Sequence, residues 1–550
     1  MNIETIEADV LCAGGGIAGL MAAIRAADLG AKVVVAEKAN TLRSGAGGVG
    51  NDHFSCYIPD VHGNNIDSYL KKQVNSPRFR SLMMPEKFWR TRLEKSYEML
   101  KLWDEWGVPM KYHGRFEFAG HTVPGQEASS MALKYSGRNQ KPVLTKQALK
   151  RGVEIFNRVM VIDLLTNDAA TGAVGVDTRE QKMFIFKVKS VILGTGMCMN
   201  LYPSATPAWM FNQHSAPGTT GDGRAMAFRA GVELVNMESF GKGAGPRYFI
   251  RSGRGTWVGV MRGPDNKPIG PFVEKPHRRY GDPILDSWPS LCEDYAIAGK
   301  GPVYMDCTGI SDEDLEYQNY WLGHEGNTAL INHLKEEGID LKKSAVEFMT
   351  YGLFSRGGIF HNENSETSIK GLYAAGDEYV GQISTAAVFG WLAGENAVKY
   401  IQEQNPDTEI EIMQEKIDSS RNSVEEILGR ENGASWKEAL IALQQTMLDY
   451  AGSLRTEPVL SAGLKHLQRL RKKAKKTLKA ENHHELMLCL GALNLFDIGE
   501  TVFLSAIERK ETRGSHKRPD YPFTNPLMNK MLICRKTETE TVVEWREPSK

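Results

Sequence analysis

Three glycines near the start of the chain are the first residues whose type and spacing could do chemistry. Gly14, Gly16 and Gly19 are spaced G-x-G-x-x-G; they follow the apolar run Val10–Ala13 and precede an alanine-rich stretch that ends near Leu29. This pattern predicts a strand, a tight turn and a helix. The turn lets main chain approach a pyrophosphate, and the helix N-terminus offers its free N–H groups to the phosphates. We therefore expect a dinucleotide-binding βαβ unit.

An acidic residue follows this unit at the distance that ribose binding requires. Residues 32–37 predict the second strand, and Glu37 ends it, 18 residues after Gly19. A carboxylate at this place accepts hydrogen bonds from a ribose diol and disfavours a 2′-phosphate. The spacing therefore predicts FAD or NAD rather than NADP, and by itself it leaves the first two open.

The composition is that of a globular chain with several modules. Its 550 residues exceed what one hydrophobic core fills, since single cores stop growing near ~250–300 residues. Hydrophobic residues make up 41% and charged residues 24%, which excludes a disordered or fibrous chain. Lys and Arg number 67, as do Asp and Glu, so the net charge is zero. We expect no nucleic-acid partner, because such binding relies on a basic field.

Seven cysteines are scattered along the chain, at positions 12, 56, 198, 292, 307, 489 and 534. No two are close enough in sequence to form a C-x-x-C or C-x-x-x-C pair. This disfavours a disulfide framework, and it disfavours a zinc or iron–sulfur site built from cysteines of this chain. We predict no metal site.

The first residues lack the pattern of a secretory signal. Residues 1–9 are acidic rather than basic and lead directly into a short apolar run. No run reaches the ~18 apolar residues of a transmembrane helix. We expect a cytoplasmic protein that touches a membrane only through a partner, if at all.

Periodicity divides the rest of the chain into segments of one predicted type each. These are β structure over 149–196, a Gly-, Pro-, Arg- and Trp-rich segment over 240–345, a strand and glycine over 369–378, and helices over 386–402 and 482–509. Ser435 and Glu438 form a capping box that predicts the start of a further helix.

Four segments together resemble the flavoprotein subunits of the succinate dehydrogenase/fumarate reductase superfamily, which includes the alpha subunit of adenylylsulfate reductase. They occur in the family's order and span nearly the whole chain. They are the glycine fingerprint with residues 43–48 (RSGAGG), residues 220–226 (TGDGRAM), residues 371–377 (GLYAAGD) and residues 511–522 (ETRGSHKRPDYP). The resemblance implies an FAD-dependent oxidoreductase.

The resemblance also implies an α/β fold with three parts. A Rossmann-like FAD-binding domain is interrupted by an α+β capping domain, and a helical C-terminal domain follows. We expect the FAD-binding domain over 1–238 and 349–404, the capping domain over 239–348 and the helical domain over 405–550.

The cofactor implied is FAD. Main chain of residues 45–48 would lie against the isoalloxazine ring, Asp377 would accept from ribityl hydroxyls, and a helix dipole near Ser384 would stabilise reduced flavin. The predicted cofactor-binding residues are Gly14, Gly16, Ile17, Ala18, Gly19, Glu37, Lys38, Arg43, Ser44, Gly45, Gly47, Gly48, Thr195, Gly196, Asp222, Gly376, Asp377, Ser384, Thr385 and Ala386. A structural turn-capping role for Asp222 is equally open.

The attachment of the flavin is predicted to be noncovalent. Succinate dehydrogenases carry a His near the Arg43–Ser44 position that bonds to the flavin. Here Ser44 is followed by Gly45 and Ala46, and the next His is His53.

The dicarboxylate clamp of the superfamily is incomplete in this chain. Its His should precede a Met-Gly-Gly, but residues 351–358 read YGLFSRGG. Its Arg should lie in an Asn-Arg stretch, but residues 381–387 read GQISTAA. Residues 238–241 (ESFG) replace the usual His-Pro-Thr-Gly. We expect a small polar or anionic substrate other than a C4-dicarboxylate.

The adenylylsulfate reductase alpha subunit is more similar in the cap. The similarity covers residues 235–238 (VNME), Pro246–Arg247 and residues 299–306 (GKGPVYMD). This chain departs from the adenylylsulfate reductase pattern at two positions: Ser55 stands where an Asn is expected, and Leu353 stands where a His is expected. Adenylylsulfate itself, and fumarate or succinate, therefore remain alternatives.

Three residues are predicted to act at the flavin. Arg247 and Arg356 could hold an oxyanion and stabilise charge as electrons pass. His361 could carry a proton near neutral pH. Purely structural roles for all three are open alternatives.

Electron transfer is expected to involve a second polypeptide. The sequence shows one dinucleotide fingerprint, which FAD would fill, and no cysteine cluster. In the resembled families the partner is an iron–sulfur protein. A non-redox FAD-binding factor and an oxidase that reacts directly with oxygen are the competing classes.

Overall fold

The protein is described by a computed structural model. It describes residues 1–48, 50–75, 83–119, 132–203, 216, 218–247, 256–271, 273–278, 284, 288, 290–404, 410 and 413–548.

The strands, in chain order, are β1 (Asn2–Glu7), β2 (Val10–Ala13), β3 (Val33–Glu37), β4 (His53–Ser55), β5 (Glu117–Phe118), β6 (Ala132–Lys134), β7 (Glu154–Asn157), β8 (Val159–Thr166), β9 (Ala170–Asp177), β10 (Lys182–Lys187), β11 (Ser190–Leu193), β12 (Leu234–Val235), β13 (Phe240–Pro246), β14 (Val260–Arg262), β15 (Val303–Asp306), β16 (Val346–Ser355), β17 (Gly358–Ile359), β18 (Leu372–Ala374), β19 (Met531–Lys536) and β20 (Thr541–Arg546).

The α-helices are α1 (Ile17–Asp28), α2 (Pro59–His62), α3 (Ile66–Asn75), α4 (Glu86–Trp106), α5 (Gln140–Lys150), α6 (Asp222–Arg229), α7 (Leu291–Ile297), α8 (Asp312–His324), α9 (Thr328–Glu336), α10 (Ile383–Gln402), α11 (Gln414–Gly429), α12 (Trp436–Ala451), α13 (Glu457–Thr477) and α14 (His483–Glu508). Short 3₁₀ turns cover Gly137–Asn139, Gly376–Glu378 and Pro526–Met528.

A five-stranded parallel sheet carries the glycine turn, in the order β18-β11-β2-β3-β7. Every residue of β2 and β3 is buried, as is typical when helices cover both faces of a parallel sheet. On one face α10 packs closely on α1, because Gly390 and Gly394 lie against main chain of Ala18 and Ala22. The α/β class predicted from the sequence is confirmed.

A second sheet, β1-β10-β9-β8, holds three strands of the β-rich segment predicted over 149–196, whose other two strands, β7 and β11, belong to the five-stranded sheet. Its strand β1 pairs with β10 in parallel, and β10, β9 and β8 form an antiparallel meander. The meander places the start of β8 beside the glycine turn.

The described residues between 240 and 355 form a separate unit on the antiparallel sheet β13-β16-β15-β14. Phe240, which begins β13, pairs with Ser355, which ends β16, so the chain enters and leaves this unit at one place. The unit has its own core, which includes Trp257, Trp321 and Phe348. Strand β16 runs across the boundary expected between residues 348 and 349, because its pairing with β13 continues to Ser355.

The C-terminal part packs four helices, α11 to α14, around a common core. The hydroxyl oxygen of Ser435 accepts a hydrogen bond from the Glu438 N–H at 3.3 Å, so Ser435 is the N-cap of α12, and the Glu438 carboxylate lies 3.5 Å from the Ser435 hydroxyl. Within the part of the chain that the structure describes, only α14 is long and apolar enough to cross a membrane by length and composition, and most of it is buried in the protein.

The last two strands depart from the helical pattern expected for this region. Strands β19 and β20 form a hairpin, and β19 pairs with β12, which pairs with β17. Met531–Cys534 is a continuous buried apolar run, as expected of the inner strand β19, whereas every residue of the edge strand β20 is only partly buried.

Candidate functional site

A cavity of about 490 Å³ opens where β2 and β11 end and α1 begins. Fifteen of the predicted cofactor-binding residues line it. They are Gly14, Gly16, Ile17, Ala18, Glu37, Lys38, Arg43, Ser44, Gly45, Gly47, Thr195, Gly196, Asp222, Asp377 and Ala386. The cavity therefore collects residues from five separate stretches of the chain.

The glycine turn shapes one wall of this cavity. Gly14 has φ +99°, and a Cβ atom there would lie 2.5 Å from the carbonyl oxygen of Gly194. A side chain at this position would therefore meet both an unfavourable backbone conformation and a neighbouring strand. Gly16 forms the N-cap of α1, where the first N–H groups of the helix face the cavity.

The carboxylate of Glu37 is fixed by main chain. Its two oxygens accept hydrogen bonds from the Gly15 and Ala39 N–H groups, each at 2.8 Å. The side chain is buried yet lines the cavity. Since each carboxylate oxygen can accept a second hydrogen bond, Glu37 can still receive a ribose hydroxyl.

The loop over residues 43–47 lines the other end of the cavity. The main-chain oxygen of Gly47 accepts a hydrogen bond from Gln140 at 2.9 Å, which holds the loop in place. Two polar atoms in this wall, Ser44 Oγ and Gln382 Oε1, are buried without a hydrogen-bond partner among the described residues. Buried polar atoms left in this way indicate a missing polar ligand.

Two adjacent carboxyl groups lie at the 3₁₀ turn after β18. Burial raises the pKa of Asp377 to about 6 and that of Glu378 to about 7, and the buried Arg224 guanidinium opposes both shifts. Arg224 donates to the main-chain oxygen of Asp377 at 2.6 Å. Asp377 lines the cavity, whereas Glu378 lies behind Thr195 and was missed by the sequence motifs.

Five predicted cofactor residues do not line the cavity. Gly19 packs against the Gly14 carbonyl, Gly48 against Arg43 main chain and Gly376 against Ala18. Ser384 and Thr385 are buried in the first turn of α10, and their hydroxyls have no partner among the described residues. These residues support the cavity from behind.

Several residues that line the cavity belong to no sequence motif and were not predicted. They include Val159, Met160 and Val161 at the start of β8, and Gly218 and Thr219 before α6. The β8 residues belong to an apolar run that looks like any buried strand, so only the tertiary fold identifies them.

The structure separates the two predicted arginines. The guanidinium of Arg247 is half-exposed and donates to both carboxylate oxygens of Glu347 at 2.8 and 2.9 Å. Arg356 is half-buried beside Phe354, and its main-chain N–H donates to the Ser239 oxygen at 3.0 Å. Neither arginine lines the cofactor cavity.

The third residue, His361, is not brought to the cavity either. It is buried among Phe88, Tyr379 and Phe389, with ring centroids 5.4, 6.0 and 5.2 Å away. Burial lowers the pKa of His361 to about 4, so the ring is neutral at pH 7. The sequence could not show this, because the aromatic neighbours come from three other segments.

The cavity fits FAD in its chemistry as well as its position. It offers helix N–H groups for phosphates, an acid for ribose, and unpartnered polar atoms with open main chain at Gly45. When bound, FAD supplies a group that takes two electrons and releases them singly or together. The fold and this cavity define the chain as an FAD-dependent oxidoreductase.

Comparisons with known proteins agree with this class. The FAD binding domain family model matches residues 9–243, and the fumarate reductase flavoprotein C-term model matches residues 441–547. These matches make the chain similar to the succinate dehydrogenase/fumarate reductase flavoprotein superfamily.

The similar proteins match over nearly their whole length. A fumarate reductase (CoM/CoB) subunit of Methanothermobacter marburgensis is 25% identical, over 98% of this chain and 100% of that protein. The fumarate reductase flavoprotein subunit of a Serratia species is 25% identical, over 94% and 90%. Among solved structures, adenylylsulfate reductase from Archaeoglobus fulgidus has a TM-score of 0.86 at 21% identity, over 99% and 96%. E. coli quinol fumarate reductase FrdA has a TM-score of 0.82 at 19% identity, over 100% and 97%.

Proposed function

We propose that this chain is the catalytic flavoprotein subunit of a cytoplasmic oxidoreductase that exchanges electrons between a small polar or anionic substrate and an iron–sulfur partner subunit. One observation carries the proposal: the FAD cavity is complete, yet all seven cysteines are buried and single. Among the described residues, the group of potential metal ligands is Asp52, His53 and Glu325, which includes no cysteine. Electrons that leave the flavin singly therefore need an acceptor on another polypeptide.

The substrate class follows from what the chain keeps and lacks. The His of the dicarboxylate clamp is absent from residues 351–358, and its Arg is absent from residues 381–387. Ser355, which precedes Arg356, is linked to the cofactor cavity through Arg224. The Arg224 guanidinium donates to the main-chain oxygens of Ser355 and of Asp377, and Asp377 lines the cavity. We assign Arg356 the role of anchoring an oxyanion beside the flavin.

The experiment is anaerobic flavin spectroscopy on the purified holoprotein. Dithionite-reduced protein is mixed with adenylylsulfate, fumarate and other small oxidised anions, and oxidised protein with reduced counterparts such as sulfite and succinate. We expect flavin reoxidation or bleaching with a small anion other than fumarate. Turnover with NADH by the lone chain would count against an iron–sulfur partner, and rapid hydrogen peroxide formation would favour an oxidase.

Arginine variants test the site. Arg356→Lys keeps the charge but removes the two-pronged geometry, and we expect it to raise KM by about tenfold or more. Arg247→Lys is the matched control, since Arg247 is paired with Glu347 on the cap. Equal effects of both variants would contradict the assignment to Arg356.

A further inference from the structure

A continuous polar chain leads from the FAD cavity into the C-terminal helices. It starts at Lys38, whose ammonium donates to Asp222 Oδ2 at 2.7 Å and to Thr220 Oγ1 at 3.0 Å. Lys38 and Asp222 both line the cavity, and only 4% of Asp222 is exposed. The chain is therefore anchored at the cofactor site itself.

The second carboxylate oxygen of Asp222, Oδ1, accepts a hydrogen bond from the C-terminal helices. Asn494 of α14 donates through Nδ2 to Asp222 Oδ1 at 2.9 Å, and Thr220 Oγ1 donates to the same oxygen at 2.7 Å. Two donors fill Oδ1, and Lys38 fills one position on Oδ2. Among the described residues, this leaves one acceptor position of Asp222 for a ligand hydroxyl.

The orientation of the Asn494 amide is set from behind. Arg229 Nη1 donates to Asn494 Oδ1 at 2.8 Å, so the NH₂ group of the amide must face Asp222. The reverse orientation would place two donors together and an oxygen against the carboxylate. Arg229 also donates to the Ile162 oxygen at 2.9 Å, in the strand that lines the cavity with Val159–Val161.

The chain continues through α14 to α13. Arg229 Nη1 lies 3.0 Å from Asp497 Oδ2, and Asp497 also pairs with Arg471 of α13. Arg471 in turn pairs with Glu500 at 2.5 Å. Each charge along this path has an opposite charge beside it, which is what makes such burial tolerable.

The charge state of Asp222 agrees with this arrangement. Burial alone would raise its pKa, but the Lys38 ammonium and the hydrogen bonds from Thr220 and Asn494 outweigh burial and lower it. The carboxylate is therefore ionised, and an ionised acceptor binds a hydroxyl more strongly than a neutral one.

We propose that Asn494 is a positioning residue for FAD: it holds the Asp222 carboxylate in the cavity and so couples cofactor affinity to the docking of the C-terminal helices. The coupling is reciprocal, because any effect of helix docking on FAD affinity requires an equal effect of FAD on docking. The site on residues 9–243 thus depends on a residue from the separate C-terminal family unit.

The test measures FAD affinity by titrating deflavinated full-length protein and following flavin fluorescence. We expect Asn494→Ala to weaken binding by about tenfold or more, as loss of a hydrogen bond to a charged group does. Asn494→Asp should weaken it further, and more at pH 8 than at pH 5, because the new carboxylate faces Asp222. Gln445→Ala is the matched control, since among the described residues the exposed amide of Gln445 donates only to Asp449.

Melting temperatures with and without FAD separate positioning from mere stability. A positioning role predicts that Asn494→Ala reduces the stabilisation by FAD more than it lowers the apoprotein melting temperature. Equal lowering of both, with FAD affinity within twofold of wild type, would overturn the proposal.

If Asn494→Ala does not fold, a measurement on the wild-type protein tests the proposal instead. Hydrogen exchange is compared with and without FAD in α14 and in α8 of the cap. We expect FAD to slow exchange in α14 around residue 494 more than in α8. Equal protection of both helices, or none in α14, would overturn the proposal.

Discussion

Glu378 binds Thr195 through one carboxylate oxygen, which accepts from the Thr195 N–H at 2.7 Å and from its hydroxyl at 2.6 Å. The Thr195 hydroxyl oxygen accepts in turn from the Gly223 N–H at 2.8 Å. A buried acid thus joins the loop after β11, the start of α6 and the turn after β18. All three segments contribute to the FAD cavity.

The raised pKa values of Asp377 and Glu378 predict that the folded protein becomes less stable as the pH rises. Burial raises the pKa of Glu378 from 4.5 to about 7, so the folded protein binds more protons than the unfolded chain between these values. Raising the pH through this window therefore destabilises the fold, by about 2–3 kcal/mol for this residue. Glu378→Gln should flatten the decline in urea-unfolding free energy between pH 5 and 8. Asp377 shifts in the same direction, so a smaller slope should remain.

His361 should influence acid stability and leave turnover unchanged. Its pKa falls from 6.5 to about 4 on folding, so below pH 6.5 the unfolded chain binds the extra proton. Stability is lost as pH falls through this window, by up to about 3 kcal/mol. His361→Leu should lessen that loss in unfolding experiments at pH 4–7. A shifted pH profile of turnover in this variant would show that His361 carries a proton after all.

Gly14→Ala should abolish FAD binding. The new Cβ would lie 2.5 Å from the Gly194 oxygen, and φ +99° is unfavourable for alanine. Absorbance at flavin wavelengths after purification measures this directly. Gly30→Ala serves as the control, since Gly30 also has positive φ but meets no atom within 4 Å. Full flavin content in Gly14→Ala would contradict the role of the turn.

The flavin should leave the polypeptide on denaturation. No His lies between Ser44 and His53 to form the covalent bond known from succinate dehydrogenases. Acid precipitation should release all flavin absorbance into the supernatant. Fluorescence that stays with the denatured band on a gel would refute the noncovalent assignment.

A buried ion pair between Lys134 of β6 and Asp52 lies against Thr256 of the cap. Lys134 donates to Asp52 at 2.6 Å and to Thr256 of the cap at 2.9 Å, and both charged side chains are almost fully buried. Lys134→Met should cost about 1–3 kcal/mol, because the buried Asp52 carboxylate then keeps only His53 and the Thr256 hydroxyl as side-chain partners among the described residues. The double variant Lys134→Met/Asp52→Leu should recover much of this loss in denaturant unfolding. No recovery would mean that packing, rather than charge, dominates at this contact.

Sequence predicted the parts of the site that local geometry dictates. The turn at Gly14, the acid Glu37 and the N-cap at Ser435 each depend on residues a few positions apart, so their patterns are visible in the chain. His361 and Arg247 were predicted from position in a motif, and their surroundings come from distant segments. Glu378 and Asn494 carry no local pattern, because their partners lie 183 and 272 residues away.

The hairpin of β19 and β20 has a consequence for synthesis on the ribosome. Strand β12 lies between β17 and β19, and the Asn236 side chain accepts from the Leu532 N–H at 3.0 Å. This small sheet stays open at one edge until residue 536 has emerged, long after the glycine turn has left the exit tunnel. Domains fold as units during synthesis, and open strand edges expose nascent chains to misassembly. The nascent chain therefore lacks the strand that covers this edge of β12 for some 300 residues of translation.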